Sequence, residues 1–380
     1  MRTLARTAAP PACALALVAG LSAAPAGGHA RAFAPALAPA GAASKSASAA
    51  AGGGYEQTYL AYATGGARTP LRIWAAGADG APAELLGPGL QPLLAPDGKL
   101  VAATLEKVGS APALAVYSVA GAPASEYARQ ANVTAVPLAW SPDSRYLAVS
   151  LQSDRVRDVG RDSSLAVIDV STGAVRTIAH GIVAGASFAP GGSDMLAYAL
   201  ASSLRLGAPV NVHTSEPDGS DARTLTHDGR SLEPVWGAEG IAYDRERLRR
   251  LQAPQYEIWL MAGGGGDARQ LTHIEAGPLV SGLVPLAFSA SGTRLLAEFE
   301  GQDTSAAWTV EVPSGHARQL RAAGVESLIG AGISADGTAV LADADDLQSP
   351  PSAGHVVTVP FAGGPASVLV AHGGEASWSE

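Results

Sequence analysis

The sequence has 380 residues, a formal charge of −9 and 47% hydrophobic residues, which is enough apolar surface for one large or two ordinary domains. Residues 51–380 carry 21 of the 25 cations and all 34 acids, a charge of −13. So acidic a chain argues against nucleic acid or an anionic membrane as the partner.

The N-terminal segment predicts export. Arg2 and Arg6 precede an apolar run over 11–24, which ends in the small residues Ala24-Pro25-Ala26. A charged start, a short apolar run and an A-x-A site describe a secretory signal peptide, here residues 1–26. We therefore expect a periplasmic or extracellular protein with no stable membrane insertion after cleavage. An uncleaved anchor is the alternative.

The next segment predicts a linker. Residues 27–54 are rich in Ala, Pro, Gly and Ser and contain no acid, so they cannot bury enough surface to offset the entropy of ordering. The only cysteine, Cys13, lies in the predicted signal peptide. The mature chain is therefore expected to have no disulfide, thiol chemistry or cysteine-ligated metal.

From residue 55 onward one motif recurs at intervals of about 45–52 residues. An apolar stretch ends in an aromatic or aliphatic residue, a turn of the Ser-Pro-Asp-Gly kind follows, and a second apolar stretch begins. The first residues of the copies are Leu94, Trp140, Phe188, Trp236, Phe288, Ile333 and Trp378. Pro presets the first corner of a tight turn, Asp bonds the local backbone and Gly accepts positive φ. Each copy therefore predicts two antiparallel strands.

A second hairpin pattern lies between the turns, as in residues 166–170 followed by 175–178. Each repeat thus predicts four strands, one blade of a β-propeller. The segment before Leu94 lacks only an innermost strand, and 376–379 is an innermost strand without the rest. We therefore expect an all-β, seven-bladed propeller over 55–380, closed by pairing of the N- and C-terminal strands. Six or eight blades are the alternatives if weak outer strands are misassigned.

Two motifs carry a family resemblance: the Trp-Ser-Pro-Asp-Ser turn at 140–144 and the Gly-Gly-Asp-Ala-Arg-Gln-Leu-Thr run at 265–272. They resemble the WD40-like (PD40) repeats of the TolB-like family, which implies a role in the cell envelope. The family pattern has an N-terminal α/β domain and six blades, whereas here a linker and seven blades are expected. Prolyl-oligopeptidase-like enzymes carry similar propellers beside an α/β-hydrolase domain, which we do not expect in this chain.

No catalytic residue is predicted. The sequence has no G-x-S-x-G nucleophile elbow, and Gly263–Gly266 is interpreted as a hairpin turn, not a phosphate loop. Four histidines follow fourth strands: His180, His227, His273 and His372. Ligands of one metal must lie about 2.0–2.1 Å from it, which the rims of neighbouring blades cannot provide. We therefore predict exposed turn histidines, no metal and no cofactor.

Charged loops joining second to third strands are the predicted recognition surface. One spans 154–162, another 244–250 and a third 343–346, and all lie on the face that carries the loops between blades. The first two contain the candidate partner-binding residues Arg155, Arg157, Arg161, Arg245, Arg247 and Arg249. Loops on a rigid scaffold often carry function, and arginine reads carboxylates bidentately. The alternative is that mixed charge only keeps long loops solvated.

These features predict an exported, monomeric, non-catalytic β-propeller that binds or scaffolds another envelope or secreted protein. The alternative is a secreted propeller enzyme of the polysaccharide-lyase or lactonase type with a metal in the channel. The predicted innermost strands argue against that metal, because Glu233 and Glu375 are their only acids. A degenerate paralogue with a structural role is a third possibility.

Overall fold

The computed structural model describes residues 59–66, 69–77, 83–106, 111–130, 132–154, 159–203, 208–247, 255–274, 281–301, 304–344 and 354–379. The predicted signal peptide and linker lie outside these described residues. The described part contains 28 strands and one short helix, α1 (Val159–Asp162). Within those ranges, no helical segment has the length and apolarity that a membrane crossing requires.

Strands that follow one another in sequence pair into antiparallel units of four, numbered here in chain order. Unit 1 contains β4 (Leu90–Leu94), β5 (Leu100–Thr104), β6 (Leu114–Ser118) and β7 (Ser125–Tyr127). Unit 2 contains β8 (Val133–Trp140), β9 (Tyr146–Ser153), β10 (Ser164–Asp169) and β11 (Ala174–His180), with α1 between β9 and β10. Unit 3 contains β12 (Ile182–Phe188), β13 (Leu196–Ala201), β14 (Val210–Ser215) and β15 (Arg223–Thr224).

The remaining strands make three further units and one that combines both ends of the chain. Unit 4 contains β16 (Ser231–Gly237), β17 (Gly240–Arg247), β18 (Gln255–Met261) and β19 (Arg269–Gln270). Unit 5 contains β20 (Ser281–Phe288), β21 (Arg294–Gly301), β22 (Ser305–Glu311) and β23 (His316–Gln319). Unit 6 contains β24 (Ile329–Ile333), β25 (Ala339–Asp343), β26 (His355–Pro360) and β27 (Ser367–Ala371). The terminal unit contains β28 (Gly374–Trp378), β1 (Tyr59–Gly66), β2 (Thr69–Gly77) and β3 (Glu84–Pro88).

The terminal unit joins the two ends of the described chain. Strand β28 pairs antiparallel with β1, with Leu60 opposite Trp378 and Ala61 opposite Ser377. The first strand of each unit also lies against the first strand of the next unit, and β24 of unit 6 lies against β28.

The tight turns form as the motif predicts. In unit 2, the Ser144 amide donates to the Ser141 carbonyl at 2.8 Å. The Asp143 carboxylate accepts from the Ser141 hydroxyl at 2.5 Å and from the Arg145 amide at 3.0 Å. Ser144 has a φ of 60° where the copy in unit 1 has Gly98 at 70°. The turn therefore needs a left-handed residue, which glycine supplies with less strain.

The apolar core lies between units, because alternate residues of a strand face opposite neighbours. In β17, Ala242 packs with Leu295 of unit 5, whereas Tyr243 packs with Val212 of unit 3. Leu295 is fully buried, and burial of such a side chain stabilises the fold by about 1.5–3 kcal/mol. The units are therefore held to one another by side-chain packing.

Each first strand has an irregular step in its pairing with the second strand. The residue at or within this step is called the bulge position, three residues before the aromatic or aliphatic residue that precedes the turn. The bulge positions are Gln91, Pro137, Gly185, Glu233, Pro285, Gly330 and Glu375. A bulge turns the following side chains and strengthens the local twist.

Units 4 and 5 are also joined by hydrogen-bonded pairing. The start of β18 pairs in parallel with the start of β20, with Tyr256 opposite Gly282. A Cβ atom at Gly282 would lie 2.2 Å from the Tyr256 carbonyl oxygen. Only glycine fits at this contact between the two backbones.

Candidate functional site

A surface cleft of about 280 Å³ lies beside β17 of unit 4. Its lining is formed by Asp228, Arg230, Arg245, Glu246, Arg247, Glu257, Trp259 and Gln270. The cleft therefore combines an aromatic surface with charged groups of both signs.

Arg245 is the best-positioned side chain of the cleft. Its Nε lies 2.6 Å from Asp228 Oδ2, and its guanidinium carbon lies 4.6 Å from the centroid of the Trp259 ring. The carboxylate and the ring face fix the guanidinium between them. Arg247 is exposed on the same face of β17, and Arg230 is exposed nearby.

The acids of the cleft have internal partners or are partly buried. Glu257 accepts hydrogen bonds from the Thr272 hydroxyl at 2.6 Å and from the Ile274 amide at 2.8 Å. Burial raises the pKa of Glu257 above its usual value, and those two hydrogen bonds oppose the shift. Burial also raises the pKa of Glu246, against the nearby charge of Arg230. Arg230 and Arg247 are thus the exposed cations of the cleft, and Asp228, which is also exposed, is paired with Arg245.

The structure places two of the six predicted arginines in one site. Arg245 and Arg247 both line the cleft, whereas Arg155, Arg157 and Arg249 lie outside the described residues. Arg161 lies in α1, and its side chain is outside the described part.

The predicted loop boundaries in this region were wrong. Asp244–Arg247 belongs to β17 and pairs with β18 as far as Arg247 opposite Gln255, because the hairpin continues beyond the apolar core. Asp343 likewise ends β25, and α1 occupies the end of the 154–162 segment.

The four predicted turn histidines do not form a shared site in the described residues. His180 is the last residue of β11, and His372 directly follows β27. His372 lies against His355, with ring centroids 5.9 Å apart. No group of three His, Cys, Asp or Glu residues within the described ranges is arranged to hold a metal ion. The Gly263–Gly266 segment is a turn, closed by the Gly265 amide donating to the Ala262 carbonyl at 2.9 Å.

A set of carboxylates that the sequence analysis missed lies where second strands end and first strands begin. Three amides at bulge positions donate to carboxylates of the preceding unit. Gly330 N lies 3.2 Å from Glu298 Oε2, and Glu375 N lies 2.7 Å from Asp343 Oδ2. Gln91 N lies 2.7 Å from Glu375 Oε2. Each carboxylate therefore links one unit to the next.

Asp244 occupies the corresponding place in unit 4 but lacks such a link. It pairs with Leu232, just as Glu298 pairs with Val284 in unit 5. The bulge position of the next unit is Pro285, which has no N–H. Asp244 is 1% exposed, and its Oδ1 has no hydrogen-bond partner in the described part of the protein.

The acids around Asp244 form what we call the acid cluster: Glu233, Asp244, Glu298 and Glu300. Burial and then the charges of Glu300, Asp244 and Glu298 raise the pKa of Glu233 well above its usual value. Burial and then Glu300 raise the pKa of Asp244 in the same way. Burial is also the main cause that raises the pKa of Glu298 to about 8. These groups therefore favour protonation or a positive neighbour at neutral pH.

A repeat alignment contains a signal for part of this cluster. Glu298 and Asp343 stand at the same distance after Phe288 and Ile333, the residues that open successive turns. For Glu233, the sequence predicts only a place on an innermost strand. What the alignment lacks is the direction of each side chain beside a bulge.

Comparison with known proteins supports the fold. No protein-family model matches the chain, and no curated protein matches it. The β-propeller domain of the trilobed protease from Pyrococcus furiosus is similar, with 12% identity, a TM-score of 0.59 and coverage of 83% of this chain and 92% of that one. A puromycin hydrolase mutant complexed with PGG has 17% identity and a TM-score of 0.58, over 84% of this chain and 52% of that one. These similarities show a β-propeller fold.

TolB from Acinetobacter baumannii is also similar, with 14% identity, a TM-score of 0.49 and coverage of 84% of this chain. This chain spans 66% of that TolB structure and about half of the hydrolase structure. Membership of the TolB-like family stays a prediction, because identities this low show the fold alone.

Proposed function

We propose that this chain is an exported, non-catalytic β-propeller that binds an acidic segment of another envelope or secreted protein in the cleft of unit 4. The observation that carries the proposal is the fixed Arg245 guanidinium on Trp259, beside the exposed Arg230 and Arg247. Arginine and tryptophan are the residue types that dominate binding energy at protein interfaces.

The propeller is proposed to have seven blades in a closed ring. The six complete units and the terminal unit each supply one blade. Support comes from the pairing of β28 with β1 and from the contacts that connect successive first strands from unit to unit. Closure removes the exposed sheet edges at which two chains could associate. Export rests on the predicted signal peptide.

The charges of the cleft decide which kind of segment it accepts. Asp228 already holds Arg245, and Glu257 is bonded to Thr272 and Ile274. Arg230 and Arg247 are therefore the groups placed to meet a carboxylate at the rim. Contacts of this kind act on association rate and specificity, and they weaken with salt.

A propeller enzyme is the second candidate function. The acid cluster favours it, because buried carboxyls with raised pKa values are candidate general acids. Puromycin hydrolase, a structural neighbour, is named for a hydrolytic activity. Catalysis by this chain would be expected to disappear in the Glu298→Gln variant and to persist when Arg245 is changed.

The test is fluorescence anisotropy of a fluorescein-labelled hexaglutamate peptide titrated with the full chain. We expect binding that weakens with salt and becomes at least about tenfold weaker in an Arg245→Glu/Arg247→Glu variant. Arg176→Glu/Arg223→Glu, which replaces exposed arginines on β11 and β15, makes the same change in net charge and is the matched control; it should bind within about twofold of the native chain. Equal loss in both variants, or no binding by the native chain, would contradict the proposal.

A further inference from the structure

The acid cluster contains one buried oxygen for which the described part of the protein supplies no partner. Asp244 Oδ1 is enclosed between units 4 and 5, where Pro285 replaces the amide that the corresponding carboxylates of units 5 and 6 bind. An unpaired polar atom in a buried place costs about 1–3 kcal/mol, and more for a charged group. A ligand that donates a hydrogen bond there would remove this cost.

The neighbours of Asp244 determine the charge of such a ligand. Among the described residues, the charges of Glu300, Asp244 and Glu298 act on Glu233, and those of Glu300 and Glu246 act on Asp244. None of these described groups is a cation. The arginines of β17 point away, because Arg245 and Arg247 alternate with Asp244 along the strand. The cluster therefore concentrates carboxyl groups that a bound cation would keep ionised.

The aromatic side of the cluster comes from Tyr256. It stands directly opposite Glu246 across the β17–β18 pair, so it shares the face of β17 that carries Asp244. Burial and then Asp244 raise the pKa of Tyr256, which keeps its ring neutral. A neutral aromatic ring attracts an organic cation through its face.

The backbone around the cluster is fixed. Glu233 has a φ of 47° at its bulge position, and a Cβ atom at Gly185 of unit 3 would lie 2.7 Å from the Glu233 Cα. The β18–β20 pair holds Tyr256 against Gly282. The carboxylates and the ring are therefore presented by units 4 and 5, and unit 3 packs against the backbone of Glu233, so the three units cannot shift independently.

From this geometry we propose that the acid cluster is a binding site for an organic cation, a guanidinium or primary ammonium group that donates to Asp244 Oδ1 and to Glu233. Such a group carries several N–H donors in different directions, so it can bridge carboxylates that come from different strands. Charge-assisted hydrogen bonds of this kind are the strong ones. The site is distinct from the cleft, because neither Tyr256 nor any of the four acids of the cluster lines the cleft.

The guanidinium or ammonium group has two possible sources, a free amine or the side chain of another protein. Agmatine represents the first. The peptide acetyl-Gly-Gly-Arg-Gly-Gly-amide represents the second. A tighter agmatine complex would identify a small-molecule ligand, and a tighter peptide complex would identify a basic segment of a partner. Either result would support the cation site.

The experiment is isothermal titration calorimetry of the full chain with both probes at pH 8, with N-butylurea as a neutral probe and calcium chloride as a metal probe. We expect agmatine or the peptide to bind and butylurea not to bind. Asp244→Asn and Glu233→Gln should each weaken binding about tenfold or more, the loss expected for one charge-assisted hydrogen bond.

The matched control is Glu375→Gln. Glu375 occupies the same bulge position as Glu233, with a φ of 53°, but its carboxylate accepts the Gln91 amide. The Glu375→Gln variant should bind agmatine and the peptide with an affinity within about twofold of the native value. Melting temperatures at pH 5 show which variants are folded. The proposal is overturned if the native chain binds neither organic cation, if calcium alone binds, or if folded Asp244→Asn binds as tightly as the native chain.

Discussion

Units 5 and 6 are joined to their successors by a buried carboxylate that accepts a backbone amide, whereas unit 4 presents the same kind of carboxylate to a proline. Glu298 accepts from the Gly330 amide and Asp343 accepts from the Glu375 amide, but the bulge position of the unit after Asp244 is Pro285. The pairing of strands is equivalent in all three places. What differs is the N–H at the bulge position of the next unit, which Gly330 and Glu375 supply and Pro285 does not.

Unit 4 differs from units 5 and 6 without a change in the fold of the repeat, so one unit of a repeat array can acquire a ligand-binding site of its own. The strands, the turn and the bulge are retained in unit 4. What differs is a single donor and the local density of acids. Candidate sites in such proteins are therefore best sought where one copy of a recurring contact is incomplete.

The largest expected effect comes from breaking the backbone contact between units 4 and 5. A Gly282→Ala change places a Cβ atom 2.2 Å from the Tyr256 carbonyl oxygen, so the parallel pair of β18 and β20 must separate. We expect the free energy of unfolding to fall by about 3 kcal/mol or more, measured by urea denaturation. Gly264→Ala is the control, because an added Cβ there meets no atom within 4 Å. Similar losses in both variants would contradict the structural account of this joint.

A smaller effect concerns the pH dependence of stability. The pKa of Glu298 is raised by burial to about 8 in the folded chain, above its unfolded value of about 4.3. The folded state therefore binds an extra proton between these values, so stability is highest below about pH 4 for this group and is lost as the pH rises through 8. We expect Glu298→Gln to flatten the fall in the free energy of unfolding between pH 5 and 9 by roughly 2–4 kcal/mol.

The matched control for that profile is Glu311→Gln. Glu311 lies on β22 at the surface, 4.0 Å from Arg294, where an ion pair contributes little. Its profile should follow that of the native chain. An unchanged slope in Glu298→Gln would show that the buried carboxyl does not titrate in this range.

The fold could be predicted from the sequence because its signals are local. The turn at Trp140–Ser144, its Asp143 contacts and the strand after it follow from residue types and spacing. The repeat also places Arg245 and Arg247 where a second strand ends, on the face that was predicted to carry the recognition loops. These features depend on local residue patterns, and the patterns are recognisable because they recur at intervals of about 45–52 residues.

The acid cluster could not be predicted in the same way. Asp244 and Asp343 were interpreted as loop charges, because the apolar pattern ends before the strands do. The bulges then shift the alternation, so the sequence does not say which acids share a space. The sequence shows that Pro285 lacks an N–H. This lack becomes significant only when the structure gives Asp244 the position at which the other units have an amide-bound carboxylate.

The smallest expected effect restores the missing amide. In a Pro285→Ala variant, an N–H at the bulge position can donate to Asp244, which favours the ionised carboxylate. We expect the difference in the free energy of unfolding between pH 5 and 8 to shrink by about 1 kcal/mol. Pro137→Ala is the control, because the preceding unit has Thr104 at the place that corresponds to Asp244, and a threonine hydroxyl does not titrate in this range. An equal change in both variants would mean that the effect comes from loss of proline and not from the new donor.

The most direct test of the account is the titration of the Asp244 carboxyl itself. Its carboxyl carbon can be followed by NMR in chain labelled with ¹³C at the aspartate side-chain carbons and assigned by its absence in Asp244→Asn. The account predicts a midpoint well above the usual value of about 3.9, and a lower midpoint when agmatine is added. A midpoint at or below 3.9, unchanged by agmatine, would contradict it.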